Sequence, residues 1–242
     1  MDEKYLLVTQ KKVGKIIWEN KLIEPNDKVL VGLSGGKDSY SLLHILANVQ
    51  KRVPFKFDLE AAHINIENIP YDKQYDYMQE FCNKLGVKLH IIQIEVDLEK
   101  DKKLSNCFKC SWNRRTELFK FTNRNNFNKL ALGHNLDDAV ETLLFNMFYN
   151  AEISSIPYRV EMFKNKFEII RPLLETQKQF IIEYSKNIEV QEEKKICPFA
   201  QESKRQEVRD MINNLEKTNK DFKKNIFRSM KKIVLQYLPQ KQ

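Results

Sequence analysis

Near the N-terminus the apolar run Val29-Leu30-Val31-Gly32-Leu33 passes directly into Ser34-Gly35-Gly36-Lys37-Asp38-Ser39, and then into residues 40–50, whose apolar positions recur at helical spacing. Few folds accept that junction. The run is short and β-branched at two positions, as expected of a parallel strand covered on both faces. A glycine turn between such a strand and a helix suits an anion, because bare backbone N–H groups and the positive helix N-terminus converge there. It is not a Walker A loop. Val31 occupies the place of that motif's first glycine, and Asp38 stands where a magnesium-binding Ser or Thr follows the lysine. A ligand-free turn would have little use for Lys37, Asp38 and two serines. An acid at position 38 suggests that it holds Mg²⁺ against a leaving group or orients the reacting one.

The pattern repeats downstream. Residues 57–66, 88–96 and 129–133 read as strands, and 71–85, 111–125 and 137–149 as helices, after an amphipathic N-terminal helix over 5–24 that ends at Pro25-Asn26-Asp27. Strands alternating with helices predict an α/β protein, a doubly wound parallel sheet with right-handed crossovers. Residues 158–174 resemble a hairpin ending at Arg171-Pro172, and Thr176-Gln177-Lys178-Gln179 has the form of a capping box. From about 201 onward the chain reads as helical and basic, with Lys217, Lys220, Lys223, Lys224, Arg228, Lys231 and Lys232. The expected organisation is an N-terminal helix (1–24), an α/β domain (25–175), and a C-terminal helical extension (176–242) without an independent core.

A second polar loop follows the strand at 129–133. Gly133-His134-Asn135-Leu136-Asp137-Asp138 sets two adjacent carboxylates at the start of a helix, at the end of the sheet where open α/β proteins bind ligands. Asp137 and Asp138 are therefore candidate catalytic groups, although a carboxylate there also serves as an ordinary helix cap. Cys107-Phe108-Lys109-Cys110 brings two thiols onto one local turn, a pattern shared by iron-sulfur, zinc and redox sites. Cys197, in Ile196-Cys197-Pro198, is the candidate third ligand. Three cysteines leave open zinc completed by an imidazole, or a cluster with one iron not held by cysteine. Cys82 lies in an apolar helical pattern with Met78, Phe81 and Leu85 and reads as packing.

Ser34-Gly35-Gly36-Lys37-Asp38-Ser39 resembles the SGGxDS loop of the PP-loop ATP pyrophosphatases, which cleave ATP between the α and β phosphates on an open, Rossmann-like parallel sheet. Residues 133–142 resemble the GHxxDDxxET motif of the members of that family that act on tRNA. Cys107-x-x-Cys110-x-x-x-Arg114-Arg115 is similar to the CxxCxxxRR signature of the tRNA 2-thiocytidine synthetase family, as are Asn146-Met147-Phe148-Tyr149 and Ile170-Arg171-Pro172-Leu173, so the likeness runs from about residue 10 to 235. It implies a tRNA thiolase that uses ATP and Mg²⁺, with Ser34, Gly35, Gly36, Lys37, Asp38, Ser39 and Gly133 around the nucleotide and Asp38, Asp137 and Asp138 as the acting carboxylates. It also implies a [4Fe-4S] cluster on Cys107, Cys110 and Cys197, a cysteine desulfurase or other sulfide source, and a homodimer. The chain departs from the family in two places. Residues 196–201 read ICPFAQ where the family has PCxxCGSQ, and His134-Asn135 is closer to 2-thiouridine-forming relatives, whose paired zinc fingers are absent here.

Composition agrees with a nucleic-acid partner. Forty-one Lys and Arg against 33 Asp and Glu leave a formal charge of +8, which attracts a polyanion without specifying one. The first residues carry charges throughout instead of the apolar core of a signal peptide, and no stretch is long and apolar enough to span a membrane, so a cytoplasmic protein with no membrane association is expected. Two other readings remain. One is an amide- or lysidine-forming ligase with structural zinc, and the other a non-catalytic RNA-binding protein, which would not need Lys37, Asp38, Asp137 and Asp138 together.

Overall fold

The computed structural model describes residues 3–69, 74–99, 105–191 and 204–238. These fall into two compact units, one within 1–135 and 157–201 and the other within 136–156 and 202–242.

The first unit is built on one six-stranded sheet. β1 (Lys28–Gly32) is central and pairs in parallel with β2 (Asp58–Ile66) on one side and β4 (Lys129–Ala131) on the other. β3 (Lys88–Ile94) extends the sheet beyond β2, and β6 (Phe167–Ile170) extends it beyond β4, both parallel. β5 (Arg159–Met162) closes the far edge antiparallel to β6, forming the hairpin expected over 158–174. The strand order β3-β2-β1-β4-β6-β5 is that of a doubly wound parallel sheet.

Alternation along β1 explains why both faces are covered. Val29 and Val31 join one apolar cluster with α1 (Glu3–Glu19), α2 (Lys37–Arg52), α3 (Tyr75–Leu85) and α6 (Lys178–Asn187), while Leu30 points the other way toward Leu118 of α4 (Asn106–Arg124). Leu42, Leu43, Ile45 and Leu46 of α2 are fully buried in the first cluster. Each contributes about 2 kcal/mol of transfer free energy, so α2, the helix that opens at the phosphate loop, is anchored along its whole inner face.

Most elements match the expected spans to within a few residues, and three of the departures have a local cause. α1 stops at Glu19 instead of residue 24, because Lys21 turns into the left-handed region (φ 47°) and the Leu22 N–H closes onto the Ile17 carbonyl, which lets Leu22 and Ile23 bury. α4 starts at Asn106, five residues early, because the Ser105 hydroxyl accepts from the Phe108 N–H and caps it. The capping box at Thr176 does not form. The Thr176 N–H instead closes a turn onto the Leu173 carbonyl, and α6 begins after Gln177 with no side-chain cap.

The second unit contains α5 (Leu136–Tyr149), α7 (Lys204–Thr218) and α8 (Phe222–Lys231), followed by a 3-10 turn at Leu235–Tyr237. α5, placed by the strand-helix alternation with the α/β segment, packs on α7 and α8. Ala139, Val140, Leu143 and Leu144 of α5 are buried, as are Val208, Ile212 and Phe227. Buried Glu141 receives Arg209 through two hydrogen bonds of 2.6 and 3.2 Å, the fork geometry in which an arginine best offsets a desolvated carboxylate. No helix among the described residues is long and apolar enough to cross a membrane.

Candidate nucleotide and cysteine site

The phosphate loop is held open by its own side chains. Gly35 sits at φ 81°, a conformation that favours glycine, and Gly36 is extended at the N-cap of α2 with no side chain over the helix end. Ser39 ties the loop together. Its buried hydroxyl donates to the Gly36 carbonyl (2.8 Å) and accepts from the Ser34 N–H (3.1 Å) and the Ser34 hydroxyl (3.2 Å). Lys37 and Asp38 form the first turn of α2, with charges of both signs beside the bare helix N-terminus. Gly133 belongs to this loop's support. A Cβ at position 133 would lie 3.1–3.3 Å from the backbone of Asp38 and Ser39, so only glycine lets the segment after β4 approach.

β2 leads outward from β1 on one side and β4 on the other, which makes the β1/β4 boundary the switch point of the sheet. A cavity of about 260 Å³ opens there, just below the roughly 300 Å³ at which small-molecule sites begin. Gly32, Leu33 and Ser34 line it from β1, Ala62–Asn65 from β2, Leu132 and His134 from the segment after β4, and Ser111, Arg114, Arg115, Leu118 and Phe119 from α4. His63 and Asn65 were not anticipated as lining residues. His63 Nδ1 lies 2.8 Å from the Leu33 carbonyl, which can only accept, so the proton sits on Nδ1. Asn65 is buried, and its Nδ2 makes no hydrogen bond among the described residues, leaving a donor for a ligand. The available signal was two polar residues at alternate positions in the second half of β2, where Ala61, Ala62, Ile64 and Ile66 are apolar.

Arg114 and Arg115 line the cavity, and a third cation, Arg171, lies outside the lining within reach of the charge of Arg115. Arg171, at the end of β6, is buried and makes no ion pair among the described residues, and its Nη1 donates to the Pro157 carbonyl (2.8 Å). Burial, reinforced by the charge of Arg115, lowers its pKa to about 10. A guanidinium whose charge is disfavoured by burial and by a neighbouring cation favours an anion beside it.

The cysteine pair lies on the same helix as the cavity wall. Cys107 is exposed in the first turn of α4, and Cys110 is buried against Ile66, Ile69 and Val96. Because α4 starts early, the pair occupies helical positions i and i+3 instead of a loop, and Ser111 and Arg114 follow four residues after each cysteine on the same stripe. Two thiols at a helix N-terminus, where negative charge is favoured, fit two of the donors of a thiolate-bound metal group. Cys197 lies outside the described residues, and no group of three His, Cys, Asp or Glu poised to hold a metal occurs among the described residues. Cys82 packs in the core as expected, its thiol pushed up to about 12 by burial.

Asp137 and Asp138 occupy the first turn of α5. Asp137 Oδ1 is 2.5 Å from the Lys223 Nζ, which also meets Glu216 at 2.7 Å. Lys223, one of the basic residues of the C-terminal stretch, is buried in this unit and so is not an exposed cation for a polyanion.

A glycine loop at the switch point of an open parallel sheet, with a cavity walled by arginines, defines a nucleotide-binding α/β protein. The PP-loop domain family matches residues 6–216. The tRNA-cytidine(32) 2-sulfurtransferase of Geotalea daltonii is 32% identical over 234 residues, covering 94% of this chain and 92% of the relative. One from Francisella tularensis subsp. holarctica is also 32% identical, over 92% of this chain and 85% of its own length. The U34-tRNA thiolase NcsA from Methanococcus maripaludis, solved with its [4Fe-4S] cluster, superposes with a TM-score of 0.81 at 26% identity, over 100% of this chain and 83% of that one. The chain belongs to the PP-loop family and, within it, to the family of the tRNA-cytidine(32) 2-sulfurtransferases.

Proposed function

We propose that this protein is a cytoplasmic, ATP-dependent tRNA sulfurtransferase that replaces the C2 oxygen of a pyrimidine, cytidine in the first instance, with sulfur. The single observation that carries the reading is that α4 presents Cys107 and Cys110 one turn before Ser111, Arg114 and Arg115, which wall the same cavity as Leu33 and Ser34 of the phosphate loop. Sulfur chemistry and nucleotide chemistry would then share one pocket. Cytidine is preferred because the 32%-identical relatives are named for it. His134-Asn135 favours uridine as the second reading, in keeping with the U34 enzyme superposed above.

A pyrimidine C2 carbonyl resists substitution because its oxygen cannot leave. In the proposed reaction that oxygen attacks the α-phosphorus of ATP, the α–β bond breaks, and pyrophosphate departs. Sulfide then adds at C2, and AMP leaves carrying the original oxygen. The N–H groups of Gly35, Gly36 and the first turn of α2 would hold the β and γ phosphates, with Ser34 and Ser39 fixing the loop and Lys37 neutralising charge. Gly133 lets the opposite loop close against them. Asp38 would hold Mg²⁺ against the leaving pyrophosphate, and Asp137 and Asp138 are the further carboxylates proposed to act in the reaction. Asn65 and His63 would orient the nucleoside end, and Arg114, Arg115 and Arg171 would offset the charge of the transferring phosphate and the tRNA backbone.

Cys107, Cys110 and Cys197 would hold a [4Fe-4S] cluster, which when bound supplies an iron lacking a cysteine ligand as a point of sulfide delivery. Sulfide would come from a cysteine desulfurase or another source, and the working form would be a homodimer. The reading is tested by product analysis on anaerobically purified protein. ATP plus tRNA is expected to yield AMP and pyrophosphate, with both lost in Asp38→Ala, and the protein is expected to be brown with bound iron and sulfide. ADP and phosphate as products, or a colourless protein with stoichiometric zinc, would point instead to a ligase or another ATPase.

A further inference from the structure

The exposed side of α4 carries two aromatic rings for which the fold has no use. Phe108 and Trp112, one helical turn apart, are 47% and 57% exposed, and their rings lie nearly parallel, 16° apart with centroids separated by 6.1 Å. α4 is anchored on its other side, through Cys110, Leu118 and Thr122. Exposed apolar residues scattered singly are ordinary, but two aligned rings beside a cavity present a prepared flat surface.

The setting of the pair identifies its occupant. Trp112 is flanked along the helix by Ser111 and Arg115, both of which line the cavity, so the rings form its outer continuation. The helix carries Arg114, Arg115, Lys120 and Arg124 against a single acid, Glu117, while Lys109 is buried with its Nζ on the Leu98 carbonyl. A ligand that combines negative charge with exposed π faces fits both features, and an unpaired stretch of nucleic acid has both. A protein partner would satisfy the rings but not the charge. An enzyme that draws one base into a pocket also leaves the neighbouring base without its stacking partner, and a side-chain ring replaces what was lost.

We infer that Phe108 and Trp112 form a stacking platform for an unpaired base flanking the nucleotide modified in the cavity. The inference rests on the tRNA reading above and adds to it the element that recognises single-stranded loop structure. The platform belongs to this chain's own sequence between and just beyond the two cysteines, and it acts in binding, not in the chemical step.

Trp112→Ala is the direct test, with Trp112→Phe as the conservative variant and tRNA as the probe. The platform predicts that Trp112→Ala weakens tRNA binding on the order of tenfold, that Trp112→Phe restores most of it, and that ATP binding and iron content stay at parental values. A fully paired RNA duplex without a loop should bind parent and Trp112→Ala equally. In a Trp18→Phe background Trp112 is the only tryptophan, since the chain has two, and its fluorescence should be quenched by tRNA but not by the duplex. This measurement stands even if Trp112→Ala folds poorly. Parent and Trp112→Ala binding tRNA equally, with no quenching, would overturn the platform while leaving the sulfurtransferase reading intact. Loss of iron or of a dimer in Trp112→Ala, with unchanged tRNA affinity, would also overturn it and assign the rings to covering the metal site or a second copy. Failure of the parent itself to bind tRNA would remove the reading on which the inference rests.

Discussion

Lys223 Nζ lies 2.5 Å from Asp137 Oδ1, joining residues 86 positions apart in the chain. Glu216 completes the contact at 2.7 Å, and the lysine side chain is only 11% exposed. Burial works against its charge, but the hydrogen bonds and charges of Asp137 and Glu216 outweigh burial and raise its pKa overall. One lysine therefore fixes the first turn of α5, where the proposed carboxylates sit.

Replacing Lys223 with methionine would leave Asp137 and Glu216 without the lysine's charge between them. Removing one partner of a buried pair costs on the order of 3 kcal/mol, so Lys223→Met should lower the midpoint of thermal unfolding clearly. Lys224→Met breaks a 3.0 Å pair with Asp221 that is largely exposed and should change the midpoint little. Equal effects of the two substitutions would show that the Asp137 contact has no structural weight.

Gly133→Ala tests the junction between the two loops. The added methyl would press on the Asp38 and Ser39 backbone at 3.1–3.3 Å, and backbone cannot swing aside as a side chain does. Weakened ATP binding is expected in a protein that still folds, read by calorimetric titration with a non-hydrolysable ATP analogue. Affinity equal to the parent's would mean that the two loops do not depend on this close approach.

His44 makes stability pH-dependent. Its Nδ1 is 2.7 Å from the Tyr184 hydroxyl and 3.3 Å from Asn48 Nδ2, an amide nitrogen that can only donate, so Nδ1 is unprotonated and the hydroxyl donates to it. Burial, with help from Lys51, lowers the His44 pKa to about 4. Below the unfolded value near 6.5 the unfolded chain takes up a proton that the folded chain refuses, so stability falls as pH drops from about 6.5 toward 4, by about 2 kcal/mol at pH 5. His44→Gln should flatten the denaturation midpoint across this window. An unchanged slope would assign the acid sensitivity to other groups.

Cysteine substitutions separate structural from ligand thiols. Cys82 is buried and its thiol stays protonated near neutral pH, so Cys82→Ala should retain iron, whereas Cys107→Ala and Cys110→Ala should lose it. Iron and acid-labile sulfide assays on anaerobic protein check this. Iron retained in both Cys107→Ala and Cys110→Ala would exclude the pair as ligands.

The sheet was legible because its signals are local. Val29–Leu33 can hardly be anything but a strand covered twice, and Gly35 and Gly36 mark the turn after it. The cysteine pair was found, but its position on a helix was not, since the Ser105 cap that extends α4 competes with a weak helical pattern over residues 106–110. His63 and Asn65 look like misplaced polar residues until the cavity at the switch point gives them a purpose. Lys223 was invisible for the opposite reason. Within a basic stretch nothing in the sequence distinguishes a lysine that meets solvent from one folded onto Asp137, because that difference exists only in three dimensions.

The central claim is that this chain uses ATP to put sulfur into tRNA, and the most direct measurement follows both products together. Anaerobic protein, with iron and sulfide restored, is incubated with ATP, Mg²⁺, sulfide and tRNA lacking thiolated nucleosides. The tRNA is then digested for nucleoside mass spectrometry and the nucleotides are quantified. The account predicts 2-thiocytidine, with at least one AMP formed for each sulfur inserted. Unmodified tRNA despite a full iron complement, or sulfur insertion accompanied by ADP instead of AMP, would contradict it.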